Sequence, residues 1–265
     1  MRSKEVLMCR PDYYFPEGIS YEINEWMVNG TPVDIRLARK QWQTLREALE
    51  QAGLSVSLVR QTESLPDMVF TANAGVISNR TIILSNFRYP ERKGEVKFFR
   101  EYFLSIGYQF ESLPHGLFEG EGDALFCGNE FVCGHGFRSN ELGATLAGYF
   151  VEKEPVLLQL VDPHFYHLDT CFCSPKKNLI LCYLPAFDSL DHAKIERLGE
   201  VIPVGKYDAE NFVCNAVPAG NKLITTPMSG ALKDTLEAHG IEPVEVELSE
   251  FKKAGGAAKC LTLWK

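Results

Sequence analysis

The sequence predicts a single α/β domain built as a closed ring of five similar units. Three observations carry the prediction. Helix-like segments recur along the 265-residue chain, and each is followed by a short strand-like run. Between these units lie paired apolar runs around polar turns, each readable as a β-hairpin. No Pro/Gly/Ser-rich linker divides the chain, so one domain, residues 1–265, is expected. A generic α+β domain without symmetry would use the same elements, and the pattern alone leaves that alternative open.

The clearest helix is residues 31–52, TPVDIRLARKQWQTLREALEQA, with apolar positions at helical spacing and Gly53 as a stop. Similar segments cover residues 90–106, 139–153, 189–198 and 229–239. The strand-like runs that follow are LSVSLVR, YQFESL, PVLLQLV, EVIPV and IEPVEVEL. Four of the five are entered through Gly53, Gly107, Gly199 and Gly240, which suits a left-handed helix cap. The hairpins are GVISNRTIILSN, ALFCGNEFVCG, CFCSPKKNLILCYL and AVPAGNKLITTP. A fifth forms if CLTLW near the C-terminus lies beside VLMC near the N-terminus, closing the ring. Gly53 and Gly107, and again Gly199 and Gly240, stand roughly 40–55 residues apart, a structural repeat without sequence identity.

Composition narrows the function. A net charge of −8 argues against phosphate-backbone binding, so no nucleic-acid partner is expected. No apolar run approaches the roughly 18–20 residues that span a bilayer, so no membrane partner is expected either. The opening MRSKEVLMCRPDYY turns polar soon after Val6–Cys9, unlike a secretion signal. Eight cysteines in a chain of this size then read as reduced thiols of a cytoplasmic protein. Cys127 and Cys133, or the CxC of Cys171 and Cys173, lack the spacing of a zinc site, so no metal is expected.

The polar outliers stand just before the hairpins: TAN (71–73), FEGEGD (118–123), HLDT (167–170) and GGAAKC (255–260). In a ring of repeated units, equivalent loops meet at one end of the axis. A cysteine, a histidine and several carboxylates would share one pocket there, giving a nucleophile, a general acid/base and cation binders.

These motifs resemble the guanidino-group-modifying (pentein) superfamily of arginine deiminases, dimethylarginine dimethylaminohydrolases, amidinotransferases and arginine dihydrolases. The matching stretches are LPDMVFTAN (65–73), SNFRYPERKGE (85–95), FEGEGDALF (118–126), GFRSN (136–140), HLDT (167–170) and GGAAKCLTL (255–263), in family order along nearly the whole chain. The resemblance implies a five-bladed α/β propeller with pseudo-five-fold symmetry. It implies Cys260 as nucleophile, with Gly255 and Gly256 allowing close backbone approach and Lys259 a neighbour that could favour the thiolate. His167 would be general acid, then base, with Glu119 as its partner and holder of the substrate nitrogen. FEGEGD also offers Glu121, one step out of register. Asp123 reads as a structural turn residue. Asp169 resembles the second guanidinium carboxylate, Arg138 and Arg88 the α-carboxylate binders, Asp67 an acid near the α-amino end, and Phe70 a wall for the aliphatic chain.

Asn73 stands where deiminases and dimethylarginine hydrolases usually carry Asp. An amide both accepts and donates, so it can serve a guanidinium and then the neutral ureido group that replaces it. It also leaves no buried anion unpaired once the cation is gone. TANA and HLDTCF resemble arginine dihydrolases, which implies conversion of L-arginine to L-ornithine, CO2 and two NH3 without metal or organic cofactor. The alternatives are a single-step deiminase or dimethylarginine hydrolase giving citrulline, and a non-catalytic arginine-binding protein. The expected partner is therefore arginine or an N-methylated arginine, and the sequence leaves homo-oligomerisation open.

Overall fold

The protein's structure, a computed structural model, describes residues 4–265. It forms five three-stranded sheets. In each, an antiparallel hairpin is extended by a third strand that returns after a helix and pairs in parallel with the second. The blades are Gly75–Ser78, Thr81–Leu84 and Gln109–Ser112; Ala124–Cys127, Glu130–His135 and Pro155–Gln159; Phe172–Lys176, Leu179–Cys182 and Glu200–Pro203; and Val217–Ala219, Lys222–Thr225 and Glu242–Glu245. The fifth blade closes the ring. Leu263–Trp264 pairs antiparallel with Glu5–Cys9, which pairs in parallel with Ser55–Val59.

Local chemistry explains these elements. Helix Ile35–Gln51 buries Ala38, Gln41, Trp42, Leu45 and Leu49, one stripe at helical spacing. It starts where it does because the Asp34 side chain accepts from the N–H groups of Arg36 and Leu37, a cap that contributes about 1 kcal/mol. The other long helices, Glu95–Ser105, Glu141–Phe150, His192–Leu198 and Gly230–Ala238, fall inside the predicted segments. The hairpin Gly75–Leu84 turns through Asn79 and Arg80, both at positive φ, as a two-residue turn matching strand twist requires.

Two expectations are corrected. The predicted helix over residues 90–106 is broken at Gly94 into Pro90–Lys93 and Glu95–Ser105, and the short first turn carries Arg92 into the interior. Gly199 is no left-handed cap: its φ of 157° and ψ of −173° are extended beyond that region. Glycine is needed there because a Cβ would lie 2.4 Å from the Asn178 carbonyl carbon. Gly53, Gly107 and Gly240, at φ 86°, 81° and 69°, do take the left-handed conformation.

The first strand of each blade faces the axis: Val217–Ala219 touches Phe172–Lys176, and Leu263–Trp264 touches Gly75–Ser78. Apolar layers fill the space between strands and helices, such as Ile82 and Leu84 with Phe99 and Phe103. Residues just ahead of the inner strands therefore collect at one end of the axis, and the hairpin turns at the other. None of the described helices is long and apolar enough to cross a membrane.

Candidate active site

Cys260 follows a backbone segment that only glycine fits. Gly255 has φ +79°, and a Cβ there would lie 2.8 Å from the Tyr166 hydroxyl oxygen; at Gly256 it would lie 2.5 Å from Cε1 of Phe70. Phe70 thus packs against the cysteine loop, 4% exposed, with its ring also edge-on to Tyr14. The Cys260 thiol donates to Asp169 Oδ2 at 3.3 Å and receives a hydrogen bond from Asn215 Nδ2 at 3.1 Å. Burial, and then the Asp169 charge, push this thiol well above its usual range. Burial also raises the Asp169 carboxyl to about 6, against the pull of His167 and Lys259.

Lys259 does not face the thiol. Its ammonium pairs with Glu121 at 2.8 Å and donates to the Thr262 carbonyl, so the expectation that it favours the thiolate is corrected. The two residues point to opposite sides of the chain: sulfur toward Asp169, ammonium toward the far end of the axis. Glu121 is accordingly spent on Lys259 and on the main-chain N–H of Trp264.

Glu119 is the partner of His167. Its Oε2 lies 2.9 Å from His167 Nε2 and 2.9 Å from Arg138 Nη1, and Oε1 accepts from the Arg88 main-chain N–H. Burial opposes ionisation of Glu119, but Arg138 and His167 outweigh it and hold the carboxyl far below the usual range. An ionised carboxylate only accepts, so Nε2 carries the imidazole hydrogen and Nδ1 is the basic atom of neutral His167. Among the described residues, His167 Nδ1 and Asp169 Oδ1 are two of only three buried side-chain polar atoms without a hydrogen-bond partner. Such atoms are rare in folded proteins, and these two stand beside Glu119 and Cys260. Asp123, 3.9 Å from His167 Nε2, braces the loops by accepting from the N–H groups of Ser139 and Leu168.

Asn73 is 2% exposed; its Oδ1 accepts from Arg92 and its Nδ2 donates to the Glu119 carbonyl oxygen. Arg138 lies between the rings of Tyr89 and Tyr166 and donates also to the Ile23 carbonyl. Asp67 is buried and accepts from the Tyr21 hydroxyl at 2.8 Å. Arg88 is the exception: its side chain is exposed, and only its main chain reaches the cluster.

Two residues were missed by the sequence reading. Asn215 accepts from the N–H groups of Ala257 and Cys260 while donating to the sulfur and to the Asp169 carbonyl. The signal was present: Asn215-Ala216 precedes its hairpin as Asn73-Ala74 precedes another. Arg92 lies within the quoted stretch 85–95, and only its burial tells it from Arg88. Residues 21–26 cover the cluster through Tyr21, Ile23, Asn24 on the Ala254 carbonyl and Trp26 on that of His164. Cavities of about 370 and 620 Å³ lie at the hairpin-turn end, lined by Phe126, Gly128, Ser174 and Pro218, away from the sulfur. The described residues contain no cluster of His, Cys, Asp and Glu arranged to hold a metal.

The arrangement resembles a known group of enzymes. The family model of eukaryotic N,N dimethylarginine dimethylhydrolase matches residues 27–263. The chain belongs to that family. Within and around the dimethylarginine dimethylhydrolase family, the chain is 36% identical to the N(G),N(G)-dimethylarginine dimethylaminohydrolase of Mycobacterium tuberculosis, covering 99% of this chain and 86% of that one. It is 41% identical to the bifunctional arginine dihydrolase/ornithine cyclodeaminase ArgZ of Synechocystis sp., over 97% of this chain. It spans only 37% of the length of ArgZ. The crystal structure of the N-terminal domain of ArgZ, a cysteine-to-serine variant bound to substrate, superposes with a TM-score of 0.94 at 40% identity, covering 98% of this chain and 97% of that one. An asparagine-to-serine variant of that domain, with the same TM-score of 0.94, is covalently bound to a reaction intermediate. The fold is thus the five-bladed pentein propeller that the motifs implied.

Proposed function

We propose that the protein is a cytoplasmic arginine dihydrolase acting through a covalent Cys260 intermediate. The observation that carries this reading is the neutral amide of Asn73, buried beside the His167–Glu119 pair and Asp169–Cys260, where a second carboxylate would suit a cation-only pocket. Likeness to the ArgZ domain supports it.

The geometry suits the chemistry step by step. Without a cation nearby, burial and Asp169 keep the thiol protonated. A guanidinium on Asp169 Oδ1 satisfies the orphaned oxygen and supplies the positive charge that favours thiolate. The thiol proton passes to His167 Nδ1, the thiolate adds to the guanidinium carbon, and ammonia leaves with that proton. Water, deprotonated at Nδ1, adds to the thiouronium; the C–S bond breaks and citrulline forms in place. A second addition expels a second ammonia, a second water releases ornithine carbamate, and that species loses CO2. The residues supply nucleophile, proton carrier and charge, so the sequence requires no metal or organic cofactor. Arg138 is assigned to the α-carboxylate, with Asp67 near the α-amino group and Phe70 along the aliphatic chain. Arg88 joins Arg138 only if its exposed side chain turns inward. Entry of arginine requires residues 21–26 to lift.

A second reading, hydrolysis of N-methylated arginine to citrulline, is favoured by the family model and the mycobacterial relative. Competition separates the two. Cys260→Ser protein should bind arginine without turning it over, and more tightly than dimethylarginine. Tighter dimethylarginine binding, with turnover of that compound by the wild type, would establish the second reading instead.

A further inference from the structure

Two cavities open at the hairpin-turn end of the axis, and the Cys260 chemistry uses neither. They share Phe126, Gly128, Ser174, Pro218 and Trp264, so they form one continuous space, a shaft and a mouth. The shaft, about 370 Å³, is walled by Phe126, Phe172, Ala216 and Trp264, with Ser78, Asn79 and Ser174 adding polar groups. The buried Lys259–Glu121 pair lies at its inner end. The mouth, about 620 Å³, gathers Lys4, Lys176 and Lys177 around Pro175 and Gly220.

The lysines of the mouth are uncompensated. Lys265 is paired with Glu5, and Lys259 with Glu121. Lys176 donates to the His239 carbonyl oxygen, a neutral acceptor, and Lys4 and Lys177 have no ion pair among the described residues. The whole chain carries a net charge of −8, so this group of exposed cations runs against its composition. Two of them stand together in the SPKKN turn (174–178) of the third-blade hairpin. Lys4 stands just ahead of Glu5–Cys9, so closure of the ring brings it to the same mouth. Cations gathered in this way repel one another, and an anion between them relieves the repulsion.

We propose that this space is a second ligand site, which takes a nucleoside polyphosphate with its phosphates at the mouth and its base in the shaft. Three lysine point charges call for several negative charges on one molecule, which a triphosphate carries and a single carboxylate does not. The rings of Phe126, Phe172 and Trp264 suit the flat faces of a base. Ser78, Asn79 and Ser174 suit a ring with a hydrogen-bonding edge rather than a hydrocarbon chain. Both volumes fall within the roughly 300–1,000 Å³ of small-molecule sites. The site stands apart from Asp169 and His167, so arginine and the nucleotide can be bound together. It does not depend on which reaction Cys260 performs.

The test is calorimetric titration of Cys260→Ser protein with magnesium-free ATP, first without arginine and then with arginine saturating. One ATP per chain, bound alike in both titrations, is the expected result. No saturable binding would overturn the proposal, and so would binding that arginine abolishes, which would put ATP in the active site. Inorganic triphosphate and adenosine, titrated separately, test the two halves. Each should bind at least about tenfold more weakly than ATP, the worth of one stacked base or one charge-assisted hydrogen bond. Triphosphate binding as tightly as ATP would remove the shaft from the site and overturn the proposal. The paired change Lys4→Ala/Lys177→Ala, at exposed positions, should weaken ATP at least about tenfold and leave arginine affinity unchanged. Ser174→Phe, which fills the shaft where the two cavities meet, should bring ATP down to the affinity of triphosphate. Unchanged ATP affinity in the lysine pair would overturn the proposal, whether or not Ser174→Phe folds.

Discussion

Asn215→Ala is expected to damage both the fold and the setting of the Cys260 thiol. The side chain is fully buried and forms four hydrogen bonds: it accepts from the N–H groups of Ala257 and Cys260, and donates to Cys260 Sγ and the Asp169 carbonyl. Alanine leaves two buried main-chain donors without acceptors, at about 1–3 kcal/mol each. The expected loss is about 3–5 kcal/mol, a fall in melting temperature on the order of 10 °C for a domain of this size. The sulfur also loses its donor. A hydrogen bond to a charged atom contributes about 1.5 kcal/mol, so alkylation of the thiolate with arginine analogues absent should slow about tenfold at fixed pH. Thermal melting and iodoacetamide kinetics read the two effects separately. A variant that melts and alkylates like the wild type would refute the claim that Asn215 organises the cysteine loop.

Further outcomes follow from the same geometry. Glu119→Gln should lower kcat by about 100-fold or more, because His167 loses its carboxylate partner. Glu121→Gln should instead lower the melting temperature by breaking the buried Lys259 pair, and steady-state kinetics with thermal melts would expose a reversed pattern. Gly122→Ala places a Cβ 2.3 Å from Asn73 Nδ2; turnover should fall at least about tenfold with a stability cost of about 1–3 kcal/mol, and normal kcat would contradict the crowding. Asp169, raised to about 6 by burial, should loosen its hold on arginine as pH falls through that value, seen as a rising KM. The sign for stability is opposite. The folded carboxyl takes its proton near pH 6 and the unfolded one near 3.8, so acid favours the fold across that window. Wild type should gain up to about 3 kcal/mol relative to Asp169→Asn between about pH 6 and pH 4 in denaturant titrations, and no gain would contradict the burial argument.

The ring was legible because its punctuation is local. Hairpin turns such as Asn79-Arg80, and stops at Gly53, Gly107 and Gly240, depend on backbone conformations that few residues adopt. Asp34 marks a helix start by a bond to its own chain. Gly199 misled for the opposite reason, since its need for glycine comes from Asn178 in the preceding hairpin turn. Cys260, His167, Glu119, Asp169 and Asn73 could be gathered from sequence because each stands just before an inner strand. Applying that rule to the Val217–Ala219 blade as well points to Asn215. What stayed hidden is side-chain direction. Nothing in the order of residues says that Lys259 turns to Glu121 rather than to its neighbour's sulfur, or that Arg92 is interior and the Arg88 side chain exposed. Those choices are set by partners far along the chain.

The most direct measurement is a product count: purified protein with L-arginine, scoring ammonia, citrulline and ornithine over one time course. Two ammonia per ornithine, with little free citrulline at any time, is the expected result. One ammonia per citrulline, with no ornithine, would contradict the account.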